Sequence, residues 1–440
     1  MIGAVKSKIY YLWGLKFIKD VFTLQVGSFF GTGLTFVASV IYARIFGAEM
    51  YGKYALIFAL TGLVGIFMDW GVGYTTLTLL SEAYEKNDKA EIKSLIVYFI
   101  KVNAIISVTL GLLAIIIGPL LAGILYNQPE IGELARLIFL AVIFRTFFSL
   151  LVVLLQIMRK IKYLTVLENI DKLVLNGLCA LLVLLGAGLW GIAWGQFITS
   201  IILMVFSLWI YFNFYKRNSL LPSFMDIYRS FNQIKFLKYF KFGFTVSLDK
   251  NISNLFSILP IVFLGALGTP EQVAMIKIAL GFLALPKMFL SSISRMLQVQ
   301  LPKAKVFGLH DLKSNFYKSS LYTGFAFAAL TLVSLIFAPV FIKIFYGQQF
   351  TSSIKFIYPL SLGIIFSGFM VGYGSLYRTL NKMKTVIMVN VVNIISGLII
   401  YRLVLLLISP LSGTVILIVY FSLFSFFVNG IFLRRHLNKV

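Results

Sequence analysis

Residues 118–130 read GPLLAGILYNQPE, and residues 338–350 read APVFIKIFYGQQF. Aligned, they share Pro119 with Pro339, Ile124 with Ile344, Tyr126 with Tyr346 and Gln128 with Gln348, each pair 220 residues apart in a chain of 440. The same offset sets KYLTVLENIDKLVLNGL (162–178) against KMKTVIMVNVVNIISGL (382–398). There Lys162 meets Lys382, Thr165 meets Thr385, Val166 meets Val386, Gly177 meets Gly397 and Leu178 meets Leu398. IKS at 92–94 faces LKS at 312–314. Several blocks at one constant offset of half the length point to an internal duplication.

What is duplicated follows from composition. The chain is 60% hydrophobic, has 43 Phe and is only 12% charged, too little polar surface to cover a water-soluble core. The bilayer is therefore the expected solvent. A spanning helix needs about 20 apolar residues. Twelve such runs are legible, near 21–45, 53–80, 94–118, 134–158, 162–187, 190–215, 240–267, 271–294, 316–340, 353–378, 385–408 and 411–433. The expected fold is all-α: a polytopic membrane protein with twelve transmembrane helices in two six-helix bundles. Six spans per half is even, so both halves enter the membrane the same way round. They form parallel repeats around a central cavity, as in transporters that alternate access. The boundaries read 1–215 for the N-terminal bundle, 216–239 for a basic cytoplasmic linker and 240–440 for the C-terminal bundle.

The net charge of +24 would imply nucleic acid in a soluble protein. Here the loops explain it. With the N-terminus inside, alternate connections carry the basic clusters: Lys86, Lys89 and Lys93; Arg159, Lys160 and Lys162; Lys216, Arg217 and Arg229; Lys313 and Lys318; Arg378, Lys382 and Lys384; Arg434 and Arg435. The opposite turns keep little more than Lys53, Lys343 and Lys355. This positive-inside pattern predicts cytoplasmic termini and requires no nucleic acid. The N-terminal stretch lacks a small-residue cleavage site after a compact apolar core and reads as a retained basic lead-in.

Some charges remain inside the spans. Arg44, Lys101 and Arg136 are near span ends, where long side chains snorkel. Asp69, Arg145, Lys172, Asp249, Lys250, Lys277, Lys287 and Arg402 fall deeper. Each costs about 2.5–3.5 kcal/mol at mid-bilayer on insertion scales, so they should line water or pair with one another. Glu168 or Asp171 with Lys172 is the local ion pair to expect if the role is structural. Deep cations outnumber deep acids, and a cavity lined by them would attract phosphate through charge-assisted hydrogen bonds.

Catalytic signals are missing. GAEMYGKY (47–54) imitates a phosphate-binding loop, but Tyr54 stands where a magnesium-binding hydroxyl is needed and no strand precedes it. Gly47 and Gly52 are better explained by a tight turn. Gly27-x-x-x-Gly31 and Gly191-x-x-x-Gly195 are small-residue faces for close helix packing. His310, His436 and the single Cys179 are too scattered for a metal site, and no cofactor or catalytic residue is expected.

Spans one to three carry a family resemblance. LQVGSFFGTGLTFVASVIYARIFGAEMYGKYALIFAL (24–60), with its A-R-x-x-G turn and Y-G-x-Y, leads to DWGVGYTTLTLLSEAYEKNDKAEIKSL (69–95), with an acid and a glycine in span two. These segments resemble bacterial polysaccharide transporters, the Wzx-type O-antigen flippases of the multidrug/oligosaccharidyl-lipid/polysaccharide exporter superfamily, whose fold is MATE-like. The resemblance implies flipping of an undecaprenyl-diphosphate-linked oligosaccharide from the cytoplasmic to the periplasmic leaflet of the inner membrane. The family's cavity is lined by spans one, two, seven and eight, which places Asp69, Lys250, Lys277 and Lys287 there; by their own position in apolar runs, Arg145, Lys172 and Arg44 are further candidate cationic contacts, and Asp69 and Asp249 are candidates for ion coupling. A polysaccharide polymerase and a chain-length regulator are the partners the resemblance implies, for a monomer. The alternative is an ion-coupled drug or small-molecule antiporter of the same superfamily, which would rely on cavity acids. A sugar transporter of the other parallel-halves fold lacks its Asp/Gly/Arg-rich loop here, and a membrane-bound transferase lacks an extramembrane domain.

Overall fold

The computed structural model describes residues 16–68, 70–234, 239–306 and 308–438, and among them every regular element is helical. Helix α1 (Lys16–Met68) is followed by α2 (Val72–Glu85), α3 (Lys89–Tyr126), α4 (Pro129–Phe144), α5 (Thr146–Ile157), α6 (Ile161–Leu182) and α7 (Gly188–Arg217). A short helix α8 (Phe224–Ser230) leads to α9 (Phe240–Leu267), α10 (Pro270–Val306), α11 (Leu309–Phe341), α12 (Ile354–Phe369), α13 (Tyr373–Thr379), α14 (Met383–Val404) and α15 (Pro410–Asn438). Large apolar side chains face outward, among them Ile116, Ile124, Leu185, Ile336 and Leu407, as a hydrocarbon solvent allows.

Among the described residues nine helical stretches are long and apolar enough to cross a bilayer, or ten when the bent pair α4–α5 counts as one. Two of these stretches must each be two spans. Phe22–Met68 has 47 residues and Ile161–Arg217 has 57. At 1.5 Å per residue either would exceed about 70 Å, more than twice the hydrocarbon thickness. Each is broken where glycine supplies a backbone other residues avoid. Gly47 sits at φ 70, ψ −176. The π-helical turn Val183–Ala187 contains Gly186 at φ 89 and is followed by Gly188 at φ 55. Counting both stretches twice gives the twelve spans expected from the sequence.

The duplication is visible in the backbone. Asn127 and Gly347, 220 residues apart, are both left-handed, at φ 53 and 95. Asn and Gly are the residue types most tolerant of positive φ, so the Y-N-Q and Y-G-Q tripeptides each encode a helix stop. Pro119 and Pro339 lie inside the helices that these stops end. Tyr126 and Tyr346 are both buried. A second matched turn corrects the register. Arg159 (φ 51) and Asn381 (φ 57) each end a helix. The next residue's N–H, from Lys160 or Lys382, bonds back to Leu155 O or Tyr377 O at 2.9 Å in both cases. The equivalent of Lys382 is thus Lys160, not Lys162, a shift of two residues from the identity register. The identities of 162–178 and 382–398 therefore fall on helices started two residues out of phase.

The chain partitions into two compact units, one of residues 1–38, 67–117 and 136–247, the other of 39–66, 118–135 and 248–440. In the first unit, Leu80, Ile92, Leu95, Phe99, Leu150 and Tyr211 form a core that also takes in Leu221 and Ile227. The last two come from the 216–239 segment, which is more structured than a linker need be. Ser223 and Asp226 make a capping box that starts α8, and Tyr239 donates to Glu91 at 2.6 Å. In the second unit, α10, α11, α12, α13 and α15 pack together around Leu297, Leu301, Phe316, Tyr377 and Leu433. The segments 39–66 and 118–135 join each other and this unit through specific contacts. Lys53 bridges Glu130 at 2.7 Å and Glu49 at 3.4 Å. Gly52 is helical, not part of the turn, and a Cβ there would come within 1.8 Å of the Pro270 carbonyl oxygen. Of the two glycines in the phosphate-loop imitation, only Gly47 makes a turn.

Candidate functional site

The site begins with how span one meets span five. Both start from the same side of the membrane, so they run parallel. Along the contact, α1 presents Gly27, Gly31 and Thr35, one face at four-residue spacing. A methyl group on Gly27 would fall 2.1 Å from Thr165 Cγ2 and 2.8 Å from Asn169 Nδ2. One turn on, a methyl on Gly31 would fall 2.5 Å from Lys172 Cδ, 2.9 Å from its Nζ and 3.0 Å from Asn169 Oδ1. At the next turn Asn176 donates to Thr35 Oγ1 at 3.4 Å. The small-residue face does more than permit close packing: it seats a lysine. Gly191 and Gly195 do the plainer job, letting α7 approach Leu182 and Cys179.

Beside this contact lies a charged cluster. Arg145 stands at the 45° bend between α4 and α5. Its guanidinium donates to Asp171 Oδ1 at 2.6 Å and to Ser200 Oγ at 3.3 Å. Asp171 is therefore taken by Arg145, not by Lys172 as the local-pair reading expected. Lys172, half-buried, makes no hydrogen bond or ion pair from its ammonium to any described residue. Adjacent residues of one span thus differ: Asp171 is paired with Arg145, and Lys172 has no ion pair to a described residue.

The second unit has a polar contact at the corresponding place, between its first and fifth spans. Asn390 of α14 donates to Asp249 Oδ1 of α9 at 3.3 Å and lies 3.5 Å from Ser253 Oγ. Lys250, next to Asp249 in sequence, is exposed. On α10, Lys277 is half-buried and Lys287 exposed, about 15 Å apart along the helix axis. Neither ammonium has a hydrogen-bond or ion-pair partner among the described residues. Arg44 is differently employed: its guanidinium donates to the carbonyls of Phe345, at 2.8 Å, and Ile344, where the π-helical turn Ile342–Tyr346 leaves oxygens without helical partners. Asp69 lies outside the described residues. Arg145 and Lys172 therefore share one unit, and Lys250, Lys277, Lys287, Asp249 and Arg44 the other. Asn169, Asn176, Ser200 and Asn390 complete the clusters; their only sequence signal was polarity within apolar runs. Among the described residues no group of His, Cys, Asp and Glu is arranged to hold a metal ion.

This architecture of twelve spans in duplicated sets is that of the MATE transporters. An inward-facing multidrug resistance MATE family transporter of the MOP superfamily superposes with a TM-score of 0.71 over 93% of this chain and 95% of that one, at 16% identity. The eukaryotic MATE transporter AtDTX14 gives 0.68 over 96% and 97%, at 18% identity. An outward-facing MATE family transporter gives 0.65 over 96% of both chains, at 14% identity. These likenesses establish the fold. Residues 17–302 match the model of the family described as polysaccharide biosynthesis protein. The chain belongs to that family, in agreement with the resemblance carried by spans one to three. A comparison with curated protein sequences finds no match.

Proposed function

We propose that this protein is a flippase that moves a polyprenyl-diphosphate-linked oligosaccharide from the cytoplasmic to the periplasmic leaflet of the bacterial inner membrane. The observation that carries the reading is the set of uncompensated cations on membrane-spanning helices, Lys172, Lys277 and Lys287, in a chain of the polysaccharide biosynthesis family. A diphosphate bearing sugars cannot enter hydrocarbon unaided, because its oxygens would lose water without gaining donors. Ammonium groups held in hydrated, protein-lined space replace that hydration with charge-assisted bonds while the prenyl chain stays in lipid. In this reading the two six-span halves, 1–215 and 240–440, rock about the site, both termini stay cytoplasmic, and the chain works as a monomer supplying a polysaccharide polymerase. No step of it requires bond chemistry by the protein.

Export of cationic drugs, the competing reading, calls for free acids. Asp171 is paired with Arg145 and Asp249 is hydrogen-bonded by Asn390, so neither is a bare carboxylate. The deciding experiment deletes the gene in cells that assemble a surface polysaccharide and follows the lipid-linked repeat unit. Accumulation on the cytoplasmic leaflet is expected; undiminished glycan display at the cell surface refutes the proposal.

A further inference from the structure

The contact of α1 with α6 contains a feature that the flippase reading leaves unused. Between these helices runs a groove of about 520 Å³. Its floor is the small-residue row of α1, Thr23 and Gly27, against Thr165 and Asn169 of α6. Its walls are Phe22, Val26 and Phe30 on one helix and Val166, Ile170 and Leu173 on the other. Five of those six wall residues are at least half exposed, so the groove opens outward to the surroundings of the spans. From Phe22 to Phe30 it extends about 12 Å along α1. Just past the lining residue Phe30 lies Gly31, over which Lys172 lays its ammonium.

An apolar trough open to lipid with an uncompensated cation at one end has the polarity of an amphiphile. We infer that this groove seats the phosphate-proximal part of the polyprenyl chain, with the Lys172 ammonium receiving the phosphate. The inference rests on the flippase reading and adds to it a docking position for the tail. Two observations carry the choice of occupant. The first is charge: Asp171, the acid next to Lys172, is committed to Arg145, and the Lys172 ammonium makes no hydrogen bond or ion pair to a described residue, so a phosphate would supply one. The second is position. The groove occupies the first half of span one, which the distribution of basic loops places toward the cytoplasmic face, where the substrate is loaded. The glycines act by absence. A side chain at 27 would fill the floor, and one at 31 would displace Lys172 from the groove's end.

The test uses the full-length protein in nanodiscs of phosphatidylcholine and measures binding of undecaprenyl phosphate. Wild-type protein is expected to bind it and to resist competition by phosphatidylglycerol. Lys172→Gln should weaken binding roughly ten- to hundredfold, the loss of one charge-assisted bond. Val26→Trp, which fills the trough from an exposed wall, should weaken it about tenfold or more. A diazirine placed early in the prenyl chain of the same probe should label peptides containing residues 22–30 and 165–173 of the unaltered protein, a readout that does not depend on either variant folding. Wild-type binding with unchanged affinity in both variants, or labelling confined to other spans, overturns the seat and leaves the flippase reading standing. Equal displacement by phosphatidylglycerol overturns the assignment to a prenyl chain. Absence of any binding by the wild type counts against the flippase reading itself and removes the seat with it.

Discussion

At the scale of single residues, the charges divide into those that hold the structure and those that have nothing to hold. Arg145 and Asp171 are the first kind. Replacing Arg145 with Ala leaves a carboxylate only 16% exposed without its partner. The expected cost is roughly 2–3 kcal/mol, below the range for fully buried pairs because Arg145 itself is 31% exposed. Leucine at both positions should restore most of that stability in a thermal-shift assay, since no lone charge remains. Lys172→Gln, by contrast, should leave the melting temperature unchanged. The duplicated stop offers a second contrast. Asn127 and Gly347 occupy equivalent places, yet Gly347 has φ 95 and ψ 173, a conformation restricted to glycine. Asn127→Gly is expected to be neutral, while Gly347→Asn should cost about 1–3 kcal/mol. Equal melting temperatures for the two variants would count against this account. That these positions share a role was legible in the sequence; that Gly347 takes ψ 173 was not, because both residue types accept positive φ.

At the scale of elements, span four is bent without proline or glycine at the break. Its cause is side chains competing for backbone groups. Thr146 Oγ1 donates to Ile143 O at 3.2 Å, Ser149 Oγ donates to Thr146 O at 2.8 Å, and Arg145 is drawn aside toward Asp171 and Ser200. Hydroxyl back-bonding of this sort bends helices. Replacing Thr146 and Ser149 with Ala should reduce the 45° bend, measured as a longer distance between spin labels at the two ends of the span. An unchanged distance would leave Arg145 as the sole cause. The apolar run 134–158 announced a span here but not its bend, since composition is blind to which carbonyl a hydroxyl selects. The helix α8 was legible after all: Ser223-x-x-Asp226 is a capping signature, hidden in a segment whose basic character made it look like a plain linker.

For the whole molecule, the partition into units has a consequence for folding. Residues 39–66 and 118–135 belong by contact to the unit that contains 248–440. Expressed alone, residues 1–215 leave Gly52, Leu56 and Tyr126 without the Pro270 and Gly265 contacts that surround them. That fragment should be degraded in the membrane, and co-expression with 216–440 should rescue it, read as fragment abundance on immunoblots. Stable accumulation of 1–215 by itself would show that these segments do not need the second unit. Among the candidate site residues, the sequence picked out the cations by their depth in apolar runs, yet could not sort them. Arg44 and Arg145 are saturated by carbonyls and a carboxylate, while Lys172, Lys277 and Lys287 are not.

Hydrophobic run length and the half-length repeat marked out, without coordinates, an all-helical membrane protein of twelve apolar spans built on a repeat. Those properties are set by local transfer free energy and by copied sequence, which need no knowledge of neighbours. Which charge meets which partner was decided only in three dimensions. Asp171 lies beside Lys172 in sequence but faces Arg145 in space, and Lys172 instead turns across Gly31, because helix rotation and close approach at glycine fix where a side chain ends.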